Sequence, residues 1–516
     1  MVLKIKTVAN IWLENFLVEI ESDSNKSLPG IDIVWLPDAS IKEAKERIKS
    51  TFKNVWIWLP KSRIVLNLSP SDIKKIGTRY DLPMAMAILY LIYQDKIAYK
   101  DLLNKSLFFG ELWLDGSVKR INGILPSIIY AYKKWYRKFF VPMENIYELD
   151  FLKDIEIFPV ESFKQLVDIF IWGEQIKFRQ PRQQIDNLLT NQDFEIDFSD
   201  IKGHIFAKRA LMIAAAWLHN VLMIWSPGSG KTMLAKALQS ILPPMNYDEI
   251  LEVSQIYSII WKLTKENPLI VKRPFRAVHH TASKVSIIGW WSNLLPGEIS
   301  LAHKWILFFD ELPEFPRNVL EVLRQPLEDR KITISRANGT VSYPAHFMFV
   351  AAMNPCPCWY YKDPEKQCKC SISQIKRYQS KISGPLLDRF DMILEIPREK
   401  IDKILEKTKE DNSDSIREKV RLAWEVQQKR FAEDSISTNS EMTARHIEKY
   451  IILTSEAESF LKMAVKSLWI SPRVIHRLLK VSRTIADFEQ SEKIQQNHIA
   501  EALQYRSKSY FDLLEE

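Results

Sequence analysis

Val221-Leu222-Met223-Ile224-Trp225-Ser226-Pro227-Gly228-Ser229-Gly230-Lys231-Thr232 decides the fold. An apolar run from Asn220 to Ile224 reads as a buried strand, and it opens into a loop of small residues. Gly-Lys-Thr closes the loop, and a helical stretch from Met233 to Ser240 follows. This is the layout of a Walker A phosphate loop, whose backbone N–H groups and helix N-terminus cradle a phosphate chain. Lys231 then reaches the β- and γ-phosphates and Thr232 binds magnesium, so ATP and Mg2+ are the expected cofactors. Trp225, Ser226, Pro227, Gly228, Ser229, Gly230, Lys231 and Thr232 form the expected binding loop. One position departs from the pattern, which begins with glycine where this chain has Trp225.

Outward from the loop, Trp305-Ile306-Leu307-Phe308-Phe309-Asp310-Glu311 is a buried strand ending in two carboxylates. Taken alone it is a strand with an acidic turn. Behind a phosphate loop, Asp310 reads as the magnesium residue and Glu311 as the group that polarises the attacking water. A third strand, His346 to Met353, ends at Asn354, whose amide can orient that water or sense the γ-phosphate. Arg389, in Ser383-Gly384-Pro385-Leu386-Leu387-Asp388-Arg389-Phe390-Asp391, is a candidate arginine finger for a neighbouring subunit's ATP. The competing reading is a surface salt bridge to Asp388 or Asp391. Arg473, at the start of a helix after Ser471-Pro472, is a second candidate for the γ-phosphate.

Tryptophan recurs where a turn calls for glycine, as at Gly289-Trp290-Trp291-Ser292-Asn293 and Cys358-Trp359-Tyr360. The chain has 16 Trp and only 13 Gly in 516 residues. Glycine at an ordinary frequency of about 7% would number roughly 36, and the two counts together come close to that. The codon UGA is a stop in the standard code, tryptophan in one variant code and glycine in another. A gene with glycine UGA codons, read with the tryptophan table, gives this pattern. The alternative is a genuinely tryptophan-rich chain with degenerate loops.

With 46% hydrophobic and 26% charged residues, the composition is that of a globular, core-forming chain of two to four domains. No apolar run is long enough for a membrane span, and the N-terminus lacks a signal-peptide layout, so the expected location is cytoplasmic. The net charge of +8 permits a polyanionic partner without demanding one. The four cysteines, Cys356, Cys358, Cys368 and Cys370, form C-x-C-x9-C-x-C. Clustering argues against a disulfide framework. Four soft ligands in two close pairs suit a structural zinc, although each pair is tighter than the usual C-x2-C. Four reduced cysteines on a loop are the other reading.

Three blocks separate along the chain. Residues 1–175 alternate strands with helices, and 176–194 read as a polar linker. Residues 195–396 carry the β–loop–α rhythm of a parallel-sheet nucleotide domain, and 397–516 are helix-patterned.

Together these motifs resemble the ComM/YifB branch of AAA+ ATPases, the magnesium-chelatase-like proteins. The most specific stretches are Trp35-Leu36-Pro37-Asp38-Ala39, Ser292 through His303, and Asp310-Glu311-Leu312-Pro313-Glu314-Phe315. Ala351 through Cys358 and Ser471-Pro472-Arg473 through Asp487 complete the set. The family has glycine at the positions of Trp35, Trp113, Trp225, Trp290, Trp291, Trp305 and Trp359. The resemblance implies a multidomain α/β protein with three parts. These are a Lon-protease-like (ribosomal S5 domain 2-like) N-terminal domain, an AAA+ core with a helix-2 insert, and a helical C-terminal lid. Met84 and Leu125 stand near where a Lon-type protease has its Ser and Lys, so no proteolysis is expected. A homo-hexameric ring acting on single-stranded or branched DNA, as a branch-migration helicase in natural transformation, is implied. The alternatives are a magnesium-chelatase ATPase subunit driving metal insertion through partners and, if the tryptophans are genuine, a weakly ATP-binding assembly protein.

Overall fold

The computed structural model describes residues 4–506 except 12, 35–38, 72–74, 182–193, 226–229, 290–294, 337–338, 364, 398–410, 435, 437 and 469. The chain groups into two compact units. The first comprises Met1–Asn191, Tyr247–Val271 and Ser335–Val341, and the second Gln192–Asn246, Lys272–Ile334 and Ser342–Glu516.

In the first unit a seven-stranded mixed sheet runs in the order Gly30–Val34, Arg63–Ser69, Glu14–Asn25, Ile5–Ile11, Ser106–Phe108, Lys138–Pro142, Glu156–Val160. Arg63–Ser69 alternates buried and open positions, the period of a strand with one face on a core. The helix Asp81–Tyr93 is apolar nearly all round, so it lies inside, with its first ten residues buried. Met84 in this helix and Leu125 in the helix Ile124–Lys133 are both core residues.

The second unit is built on five parallel strands in the order Phe275–Val278, Ile306–Phe309, Met348–Met353, Val221–Trp225, Met392–Ile396. Three of them, Val221–Trp225, Ile306–Phe309 and Met348–Met353, are buried at every residue. Continuous apolar runs of this kind mark parallel strands covered on both faces. Ligands in such sheets gather at the carboxyl ends of the strands. Ile224 pairs with Met353 and Phe309 with Ala351, so the residues after all three strands emerge at one edge. The helices Ser413–Arg430, Ala444–Tyr450, Ser455–Ser467, Pro472–Phe488 and Gln496–Gln504 follow. The first of these docks on the helix Ile205–Trp217, where Gln427 Nε2 donates to Ala216 O at 2.9 Å and Trp424 Nε1 to Ala215 O at 3.2 Å. Among the described residues no helix is long and apolar enough to cross a membrane.

Among the described residues, four of the thirteen non-glycine residues with positive φ are tryptophan: Trp56, Trp135, Trp261 and Trp359. Three of these close helices in the same way. Trp135 N donates to Tyr132 O and Tyr136 N to Ala131 O, which is the paired bonding of a Schellman cap with Trp135 at its left-handed position. Trp56 with Ile57, and Trp261 with Lys262, repeat it after the helices Ala39–Asn54 and Tyr247–Ile259. Glycine serves there because a side chain in the left-handed region costs roughly 1–2 kcal/mol. The guanidinium groups of Arg120 and Arg137 lie 4.1 and 5.6 Å from the Trp261 and Trp135 ring centres. Such exposed contacts return about 0.5–1 kcal/mol, less than the backbone costs. Trp56 and Trp135 are each 85% exposed. Three buried indoles, Trp217, Trp225 and Trp305, have no hydrogen-bond partner for Nε1 among the described residues. An unpaired buried donor costs about 1–3 kcal/mol. Of the seven family glycine positions, Trp35, Trp290 and Trp291 lie outside the described residues, and Trp359 has φ +74°.

Candidate functional site

Lys231 is the first residue of the helix Lys231–Ile241, and Gly230 before it has φ +82°, a conformation that favours glycine. Ser226, Pro227, Gly228 and Ser229 lie outside the described residues. Trp225 ends its strand fully buried, edge-on to His204 with ring centres 4.8 Å apart.

Two polar pairs join the three central strands at their carboxyl edge. Lys231 Nζ donates to Asn354 Oδ1 at 2.5 Å, and Thr232 Oγ1 donates to Asp310 Oδ2 at 3.1 Å. Burial pulls the Lys231 ammonium below its ordinary pKa, against the pull of Asp310 and Glu311, so a polyanion here gains a desolvated cation. Asp310 Oδ1 also accepts the Glu311 backbone N–H at 2.9 Å. Glu311 sits in the left-handed region, φ +53°, and ends its strand with a sharp turn. Its Oε2 lies 3.4 Å from His280 Nδ1. The imidazole can hold the orientation of this carboxylate. No pattern in the sequence singles out His280, because the partners meet only once the sheet is assembled.

Arg389 and Arg473 stand elsewhere. Both line a cavity of about 440 Å³ with Glu328, Arg330, Asp388 and Arg477, and none of Lys231, Thr232, Asp310 or Asn354 lines it. Arg389 Nη2 donates to Glu328 Oε2 at 2.6 Å, and its side chain is largely covered. Arg473 is 78% exposed and lies 3.9 Å from Asp388 Oδ2. Beneath them Asp391 takes Arg477 Nη1 at 2.7 Å and the Asn220 backbone N–H at 3.1 Å, and lies 3.3 Å from His219 Nδ1. Burial alone would raise this carboxyl, but Arg477 and His219 hold it well below the usual carboxylate range.

The four cysteine sulfurs lie within 4.8 Å of one another. Cys356 Sγ is 3.5 Å from Cys358 Sγ and 3.8 Å from Cys368 Sγ, and Cys358 Sγ is 3.5 Å from Cys368 Sγ. Cys356 is fully buried and the other three half-buried.

Models of the magnesium chelatase subunit ChlI match nearly the whole chain: the ChlI subunit at residues 20–145, the magnesium chelatase ChlI core at 197–404, and the ChlI C-terminal region at 410–506. The competence protein ComM of Haemophilus influenzae is 37% identical over 509 residues, spanning 97% of this chain and 96% of its own. YifB of Escherichia coli, an uncharacterised protein, is 37% identical over 95% of this chain and 94% of its own. The ChlI subunit of Euglena gracilis is 23% identical over 33% of this chain. Identity at this level, sustained from one end to the other, is kinship of the whole chain, which belongs to the ComM/YifB family of magnesium-chelatase-like proteins.

Proposed function

We propose that this chain is an AAA+ ATPase that remodels DNA, a ComM-like motor for branch migration during DNA uptake or recombination. The observation that carries the ATPase reading is the convergence of Lys231, Thr232, Asp310 and Asn354 on one sheet edge. Their donor set fits ATP with Mg2+: a desolvated ammonium, a hydroxyl beside a carboxylate, and a helix N-terminus. Bound ATP with Mg2+ supplies a phosphoanhydride whose cleavage releases the free energy for mechanical work. Lys231 offers its charge to the phosphates, and Thr232 and Asp310 hold the ion. Glu311, steadied by His280, orients water and accepts its proton, while Asn354 fixes the position of Lys231. Arg389 and Arg473, clear of this edge, suit a role at a neighbouring copy's nucleotide, which favours a homo-hexameric ring. The N-terminal unit is read as a Lon-like fold without a nucleophile, since Met84 and Leu125 are apolar and buried.

Full-length similarity to a competence protein supports DNA as the substrate. The chelatase subunit reading has support from the family models alone, since the ChlI relative spans one third of this chain. The test is ATP turnover by the full chain with and without synthetic four-way DNA junctions, alongside strand exchange on the same junctions. Stimulated turnover with branch movement supports the proposal. Turnover indifferent to every DNA form returns the chelatase-type reading. Lys231→Ala should abolish turnover, and Glu311→Gln should slow it by roughly 10²–10⁴-fold with nucleotide still bound.

A further inference from the structure

We propose that Cys356, Cys358, Cys368 and Cys370 form a tetrathiolate zinc site that pins Asn354 in the nucleotide site. Zinc–sulfur bonds of about 2.3 Å in a tetrahedron place sulfurs roughly 3.8 Å apart. The separations among Cys356, Cys358 and Cys368, 3.5–3.8 Å, already approach that spacing without disulfide bonding, and the Cys370 sulfur lies within 4.8 Å of the other three. The polar surroundings are those of a thiolate cluster. Cys370 N–H lies 3.4 Å from Cys368 Sγ, and the backbone N–H groups of Tyr360 and Lys369 face Cys358. Four thiolates around one divalent ion carry two surplus negative charges. Lys369 and Arg377 line the hollow beside Cys358 and Cys370, where they offset that surplus, while Lys381 in the same hollow pairs with Glu314 at 3.5 Å. Four thiolates leave the ion no open position, so its role is structural.

The placement gives the site its consequence. Asn354, which accepts from Lys231, lies two residues before Cys356. Between them Pro355 O accepts from the buried Gln379 Nε2 at 3.1 Å, on the helix Ile372–Gln379. Cys370 lies just before Ser371, which caps that helix, and the helix leads on to Arg389. One ion therefore ties the strand end carrying Asn354 to the helix that precedes the candidate finger. This control of turnover rests on the ATPase reading, whereas the metal itself does not.

The full chain, purified without chelator and under reducing conditions, should contain one zinc per chain. Replacement by cobalt(II) should give the intense visible absorption of a tetrahedral tetrathiolate, with no nucleotide required. A folded chain without metal whose four thiols react freely with a thiol reagent overturns the proposal, as does the weak spectrum of an octahedral cobalt site. Cys358→Ser with Cys370→Ser, at the less buried positions, should lose the cobalt spectrum. Should that variant fail to fold, chelator titration of the native chain gives the same reading. If zinc removal leaves a turnover that Lys231→Ala abolishes, the pinning of Asn354 is overturned while the ATPase reading stands.

A separate set of observations carries a second proposal. We infer that the natural chain has glycine at the positions of Trp56, Trp135, Trp261 and Trp359. All four have a left-handed backbone, and three hold the residue of a Schellman cap that glycine serves best. By contrast, Trp424 has a paired indole N–H and packs among apolar residues of the core, as a tryptophan selected for its side chain does. Peptide masses from the source organism decide the matter. Glycine at all four positions with tryptophan at 424 bears the inference out, and tryptophan at any of the four overturns it.

Discussion

Trp135 places an indole in water at a backbone position that penalises any side chain. Replacing it should therefore stabilise the chain, against the usual outcome for a large-to-small change. Trp56→Gly, Trp135→Gly and Trp261→Gly should each raise the unfolding free energy of the recombinant chain by about 1 kcal/mol in denaturant melts. Trp424→Gly should lower it by roughly 3 kcal/mol, since the ring packs on the core and its N–H is paired. The shortage of glycine was legible in composition, and the Walker A position of Trp225 in motif spacing. Trp56, Trp135 and Trp261 were not legible as glycine positions. A Schellman cap is defined by bonds spanning five residues and by the sign of φ, and neither leaves a periodic trace in the sequence. Lys231, Thr232, Asp310 and Asn354 could be read from strand ends, whereas His280 could not.

Elements meet through a few buried ionisable groups, and these set how the fold responds to pH. Glu148 ends the short helix Met143–Glu148 and accepts from Ser258 Oγ at 2.6 Å on the helix Tyr247–Ile259. Burial pushes its carboxyl up to about 7 despite bonds from Ser258 and Asn145. A carboxyl raised on folding binds its proton more tightly in the native state. Its contribution is present at low pH and is lost as pH rises from about 4.5 through about 7. The first unit should thus lose up to about 3 kcal/mol across that window, and Glu148→Gln should flatten the profile in melts followed against pH. Asp391 acts in the opposite sense and joins the segment before the strand Met392–Ile396 to the helix Pro472–Phe488 through Arg477. Asp391→Asn leaves Arg477 without its partner and should cost about 3 kcal/mol by the same melts. The strands of the five-stranded parallel sheet were readable because parallel strands covered on both faces are unbroken apolar runs. The Asp391 hub was not, since its partners at 219, 220 and 477 are brought together only by the sheet and the C-terminal helices.

At the scale of the molecule, the modest net charge of +8 must be concentrated if DNA is the substrate. Binding of the full chain to a junction should weaken as salt rises, with log K falling linearly in log salt. A slope near zero in a filter or anisotropy titration argues for a protein partner instead. Unfolding should not follow a single two-state curve, because the chain forms two compact units.

The first unit draws on three separate pieces of chain, and the helix that supplies Ser258 to Glu148 arrives from within the stretch that otherwise builds the five-stranded parallel sheet. Neither half is therefore a cassette. A gene fragment ending at residue 191 would encode Glu148 without its Ser258 partner, and one beginning at 192 would carry the helix Tyr247–Ile259 without the unit that its buried face belongs to. Such fragments would be sticky, short-lived products rather than working modules. A cut at one point in the chain cannot separate the two units, because the first is assembled from three stretches that alternate with those of the second.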